Sequence, residues 1–148
     1  MNLPKKTSNL QQELNIYLTP RESFAAIMLS AVAVDGYMAE EELQSLMVAL
    51  KRTKLYKDKT KANIVGTLNK LLRIIKTYDV DSLIQLALPN LPDYLHETVF
   101  ALTTDIALCD GAIFEEELEM LSKLSASLSI PEDTVNQITT VMMIKNKG

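Results

Sequence analysis

Two stretches of this chain carry the same unusual pattern. Residues 31–47 read AVAVDGYMAEEELQSLM, and residues 106–122 read IALCDGAIFEEELEMLS, 75 positions later. Each has an apolar run, then Asp-Gly, then three glutamates and a leucine. A shift of 75 aligns Asp35 with Asp110, Gly36 with Gly111, Glu40–Glu42 with Glu115–Glu117, and Leu43 with Leu118. An internal repeat of this kind constrains the fold before anything else does. It predicts two helix–DG–helix hairpins, about residues 20–50 and 95–128, related by a pseudo-twofold axis.

The spacing of apolar residues around the repeat is helical throughout. Thr19-Pro20-Arg21-Glu22 places a capping threonine before proline at the first helical position, with glutamate three residues after the cap. Phe24, Ile27, Met28, Ala31 and Val34 follow at helical intervals. Asp35-Gly36 should end that helix, because glycine accepts the left-handed conformation of a helix stop. A second helix is expected from about Ala39, burying Leu43, Leu46, Met47 and Leu50. A third spans about 60–78, with Ile64, Leu68, Leu71, Leu72 and Ile75 inward. Asp79 or Asp81 caps a short helix through Leu88. After the break LPNLP at 88–92, a long helix runs from about Pro92 to Cys109. The next runs from about Phe114 to Leu128, with Leu118, Leu121, Leu124 and Leu128 inward. Ser129-Ile130-Pro131-Glu132 reads as a second capping box. It opens a last helix carrying Val135, Ile138, Met142 and Met143. No segment alternates with period two long enough for a sheet. The expectation is an all-α single compact bundle of about seven helices over 1–148, with a core of about 20–142 and frayed termini.

Composition sets limits on chemistry. The 148 residues suit one domain. One cysteine, Cys109, and one histidine, His96, exclude internal disulfides and His/Cys-rich zinc, haem or iron–sulfur sites. The longest apolar run, FAAIMLSAVAV, is too short to span a bilayer. With no signal-peptide pattern, a cytoplasmic protein is expected. Cys109, whose repeat partner is Val34, reads as a buried structural thiol. His96 reads as a surface or hydrogen-bonded residue rather than a catalyst, since no nucleophile or second base accompanies it.

Charge is sharply segregated. Residues 51–76 hold nine of the fifteen basic residues and one acid, a net +8. Residues 77–122 hold ten acids and no Lys or Arg, a net −10, within a whole-chain charge of −4. Such blocks are either two solvated faces or docking surfaces. The basic stretch KRTKLYKDKTK, 51–61, could touch a membrane surface, without any integral span; nucleic acid is not an expected partner of an acidic chain lacking a DNA-binding motif. Oligomeric state is open.

The repeated motif has a plain reading and a sharper one. Asp-Gly makes a turn, the glutamates favour the positive end of a helix by about 0.3–1 kcal/mol each, and the leucines face the core. The pattern D-G-x-Φ-x-x-x-E also matches the second half of an EF-hand loop. The first half is missing: the first two ligand positions would be Ala31 and Ala33, or Ile106 and Leu108. A complete EF-hand is thereby rejected. Two half-sites meeting at the axis would still bring Asp35, Glu42, Asp110 and Glu117 together, with Asp105 as an outer carboxylate. Two carboxylates ~5 Å apart at an effective dielectric of ~20 repel by about 3 kcal/mol, so the cluster would favour a cation. Oxygen-only ligands suit Ca²⁺, Mg²⁺ or Mn²⁺ better than Zn²⁺.

An apolar helix, DG, a hydrophobic residue and an acidic helix start, doubled in an all-α chain, resembles the TerB-like tellurite-resistance family over about residues 20–142. The resemblance implies a bacterial, cytoplasmic stress-response module acting through protein partners at its charge-segregated faces. It also implies a divalent-cation site on Asp35, Glu41, Glu42, Asp110, Glu116 and Glu117. Family members often place Ser or Thr before the acidic run, whereas Ala39 and Phe114 stand here. The alternative is a helical interaction scaffold without metal, its acidic motifs serving as helix caps. Enzymatic turnover is not expected. Paired carboxylates with metals could serve a hydrolase, but no P-loop, nucleophile elbow or dinucleotide motif names a substrate.

Overall fold

The computed structural model describes residues 6–33, 38–108 and 115–148. Among these, the chain forms eight α-helices and two 3-10 turns. They are α1 (Lys6–Leu14), α2 (Pro20–Val32), α3 (Glu40–Lys51), α4 (Lys61–Thr77), α5 (Val80–Ala87), α6 (His96–Leu108), α7 (Glu115–Ser127) and α8 (Glu132–Lys145). No strand occurs among the described residues. The expected count of about seven is one short. The addition is α1, where an expected frayed terminus is instead a helix docked on α5. Its sequence, KTSNLQQEL, has few apolar residues, yet Leu10 and Leu14 pack against the core. Asn90 Nδ2 also donates to Gln11 Oε1 at 2.6 Å.

α2 is the axis of the bundle. Its residues Ser23–Ala31 are all buried, and α3, α4, α5, α6 and α7 all pack on it. A helix buried on every side needs apolar residues all round rather than one stripe, which is what FAAIMLSAV supplies. The expected capping box forms: Thr19 Oγ1 accepts from Glu22 N–H at 3.0 Å, and Glu22 Oε1 accepts from Thr19 N–H at 3.0 Å. Around this axis the amphipathic helices present single stripes. In α4 these residues are Ile64, Leu68, Leu71, Ile74 and Ile75, with Leu72 partly buried. Asp79 caps α5, its Oδ1 accepting from Ser82 N–H at 2.7 Å.

Three expectations meet a competitor. Ser129 does not cap α8. It adopts φ 56° and ends α7: its N–H donates to Ala126 O at 3.1 Å and the Ile130 N–H to Ser125 O at 3.0 Å. This is a Schellman closure, in which a left-handed residue satisfies the last helical carbonyls. Helix α8 then starts at Glu132, with Pro131 at its N-cap and no side-chain cap. The helix expected from Pro92 begins at His96, preceded by a 3-10 turn at Asp93–Leu95. Leu118, expected inward, is 51% exposed. The inward line of α7 runs through Met120, Leu121, Leu124 and Leu128, and Glu117 lies on it by helical spacing. One residue turns a helix by about 100°, so Leu118 is carried onto the flank.

Two polar details bear on the packing. The hydroxyls of Ser23, Thr103 and Thr104 are buried with no hydrogen-bond partner among the described residues. A buried polar group without a partner costs about 1–3 kcal/mol. Thr103→Val, which keeps the shape and removes the hydroxyl, should raise stability by about 1 kcal/mol in denaturant unfolding. A loss of stability would mean that the hydroxyl has a partner in solution.

Tyr56 is the second detail. It is buried and its hydroxyl donates to Arg21 O at 2.5 Å, tying the α3–α4 connection to the start of α2. Burial pushes the phenol well above its ordinary value, with the nearby Glu22 charge adding and the Arg21 charge opposing. The folded state therefore favours the neutral phenol. This contribution is whole below about pH 10 and is lost as pH rises beyond it. Tyr56→Phe should cost about 1–2 kcal/mol at neutral pH and show a shallower decline above about pH 10. Parallel curves from pH 7 to 11 would mean that the phenol ionises alike in the folded and unfolded chain, so that burial does not raise its pKa.

Candidate acidic cleft

The first turns of α3 and α7 carry the glutamates of the two motifs, Glu40–Glu42 and Glu115–Glu117. Negative side chains favour the positive end of a helix. Within α3, Glu42 has a specific role, since its Oε1 accepts from Ala39 N–H at 3.0 Å. This is the glutamate half of a capping box. Ala39 has no oxygen for the other half, so the helix start leans on Glu42 alone.

The two acidic turns come to one place. A cleft of about 400 Å³ is lined by Glu41 and Glu42 from α3 and by Glu117 from α7, with Ala39 and Ser45 beside them. Val32 at the end of α2 and Ile106 of α6 form its apolar side. Residues from both acidic motifs thus line one solvent-open cleft. Asp35 and Asp110 lie outside the described residues, as does the side chain of Glu116. Gly36, Gly111 and Cys109 lie outside them too. Among the described residues, no three His, Cys, Asp or Glu side chains gather closely enough to hold a metal ion. The carboxylates that do line the cleft are hard oxygen donors, the chemistry that suits Ca²⁺, Mg²⁺ or Mn²⁺.

Asp105 is engaged elsewhere. Its Oδ1 accepts from Asn146 Nδ2 at 2.8 Å and from Lys145 Nζ at 3.2 Å. It ties α6 to the end of α8. His96 is likewise occupied, with Nδ1 3.1 Å from Leu128 O and Nε2 3.4 Å from Leu91 O. It links the α6 start to the α7–α8 turn. Met47 is buried core, and Met143 is 54% exposed on α8.

The charge blocks map onto different elements. The basic block covers the end of α3, the connection and α4, while the acidic block covers α5, α6 and the start of α7. Glu22 of α2 answers one cation, pairing with Lys70 at 2.8 Å. Burial would raise its pKa, but the Lys70 and Thr19 contacts hold the carboxyl below its ordinary value. No helix among the described residues is long and apolar enough to cross a membrane. No protein-family model, curated protein or solved structure matches this chain.

Proposed function

We propose that this chain is a TerB-like, non-enzymatic helical module that takes a divalent cation at the acidic cleft and works through protein partners. The observation that carries the reading is the convergence of Glu41 and Glu42 with Glu117, from motifs 75 residues apart, on one cleft. The packing supports a pseudo-twofold plan for the two hairpins. The first helix of each packs on the second helix of the other, α2 on α7 and α6 on α3, while α2 meets α6. In that plan Asp35, Asp110 and Glu116 complete the ligand set that the repeat implies. The chain's own glutamates would hold the ion by charge and hard oxygen donation, and the ion would neutralise like charges between the hairpins. A cytoplasmic stress-response setting belongs to the same reading.

A second reading rests on Glu42. Its bond to Ala39 N–H gives the carboxylate a structural role without any ion. In that reading the chain is a metal-free interaction scaffold and the glutamates are helix caps. Thermal melts of chelator-treated protein with Ca²⁺, Mg²⁺, Mn²⁺ or Zn²⁺ separate the two. Stabilisation by one hard ion, absent in Glu41→Gln plus Glu117→Gln, supports the cation module. A melting temperature indifferent to every ion supports the scaffold.

A further inference from the structure

The exposed Leu118 has no part in the acidic cleft, and it does not stand alone. On α7, Glu115, Leu118, Glu119 and Ser122 fall at i, i+3, i+4 and i+7, one face of the helix. All four are exposed. The face is therefore a leucine knob flanked by two carboxylates.

The opposite chemistry occurs between α3 and α4. A cleft of about 400 Å³ there has Met47, Val48 and Ile64 as its apolar lining. Val48 is 50% exposed, although Met47 and Ile64 beneath it are buried. Lys51, Arg52 and Lys61 rim the same cleft. Lys51 Nζ is held in place by donating to Lys59 O at 2.6 Å and Lys57 O at 2.9 Å. A slot with an apolar lining and three cations is the complement of an acidic helix bearing an apolar knob.

We propose that the α3–α4 slot receives the α7 ridge of a second copy of this chain. Leu118 would enter between Met47, Val48 and Ile64, while Glu115 and Glu119 face the basic rim. Charge complementarity selects this occupant, because the chain itself carries the acidic ridge that the slot fits. The two surfaces are different, so the contact is heterologous. It either repeats from copy to copy or closes into a ring, and a twofold would close it by pairing each slot with the other copy's ridge. One helix against one slot is a small interface, so association should be weak and should depend on salt.

The test is sedimentation equilibrium of the full chain from about 10 µM to about 1 mM, a range suited to small transient interfaces. The weight-average mass should rise with concentration. Raising NaCl from about 0.05 M to about 0.5 M should weaken association about tenfold or more, as screening shortens the reach of the charges. Two charge-reversed proteins sharpen the result: Arg52→Glu with Lys61→Glu alters the slot, and Glu115→Lys with Glu119→Lys alters the ridge. Each should remain monomeric alone, with an unchanged helical circular-dichroism spectrum. Mixed together they should associate, because the acidic slot of one then meets the basic ridge of the other. Leu118→Ser should weaken self-association without altering the fold, since the side chain is exposed. A wild-type chain that stays monomeric throughout overturns the proposal. So does self-association that survives both charge reversals, or a mixture of the two folded variants that stays monomeric.

Discussion

Replacing Phe24 with alanine is expected to remove about 3–5 kcal/mol of folding stability, the usual cost of truncating a fully buried phenylalanine. Phe24 is 1% exposed and sits in the first turns of α2, the helix on which five others pack. The cavity cannot be filled by a shift of one neighbour, because each neighbour is also held by others. The same substitution in a two-sided amphipathic helix could relax toward solvent; here there is no solvent side. With native stability of about 5–15 kcal/mol, this change alone takes about a fifth or more of the total. At about 2–4 °C per kcal/mol for a chain near this size, the melting temperature should fall by about 10 °C. Leu118→Ala is the matched control. Its leucine is 51% exposed, so equilibrium urea unfolding should place it within about 0.5 kcal/mol of wild type. Equal losses at the two positions would contradict the central placement of α2.

What can be read from the sequence follows the strength of the local signal. The run FAAIMLSAVAV announces a helix with an inward line at Phe24, Ile27, Met28 and Ala31, while its burial on every side over Ser23–Ala31 follows from five helices packing on it. The stripes of α3 and α4 are equally visible, because one apolar face leaves little choice of register. α1 is not, since its contribution is two leucines that count only once α5 is in place. At Ser129 two local rules compete for one residue. A capping box would use its side chain, whereas the Schellman turn uses its backbone, and ending α7 takes precedence. The repeat suggests that Leu118 should behave as Leu43, which is partly buried against the core. In α7, however, Met120 and Leu121 set an inward line that contains Glu117 and excludes Leu118. That difference in rotation leaves a leucine outside, while Glu117 lines the cleft as its repeat partner Glu42 does. The repeat marks Glu41, Glu42 and Glu117 as motif residues, but that these three line one cleft depends on how the helices pack, and the capping role of Glu42 depends on backbone geometry at Ala39.

A crossing of stabilities is the sharpest result expected at the cleft. Without a divalent ion, Glu41→Gln should match or exceed wild type in stability, because the carboxylate removed lessens like-charge repulsion among the cleft's glutamates, and adding Glu117→Gln gives the double variant for the ion test. With a bound ion the order should reverse. An ion present at 100 to 1,000 times its dissociation constant stabilises the folded state by about 2.7–4.1 kcal/mol, which is about 5–15 °C in melting temperature. The double variant should forfeit most of that gain. Glu42→Gln separates charge from capping. Its amide oxygen can still accept from Ala39 N–H, so the ion-free protein should lose at most a few tenths of a kcal/mol, while the ion-dependent gain shrinks. Glu42→Ala removes the cap as well and should cost about 0.5–2 kcal/mol with or without the ion. Asp35→Asn plus Asp110→Asn should reduce the ion-dependent gain if both motif aspartates are ligands, as the repeat implies. If all these variants instead respond identically to chelator and to every ion, the glutamates act as helix caps alone, and the scaffold reading stands.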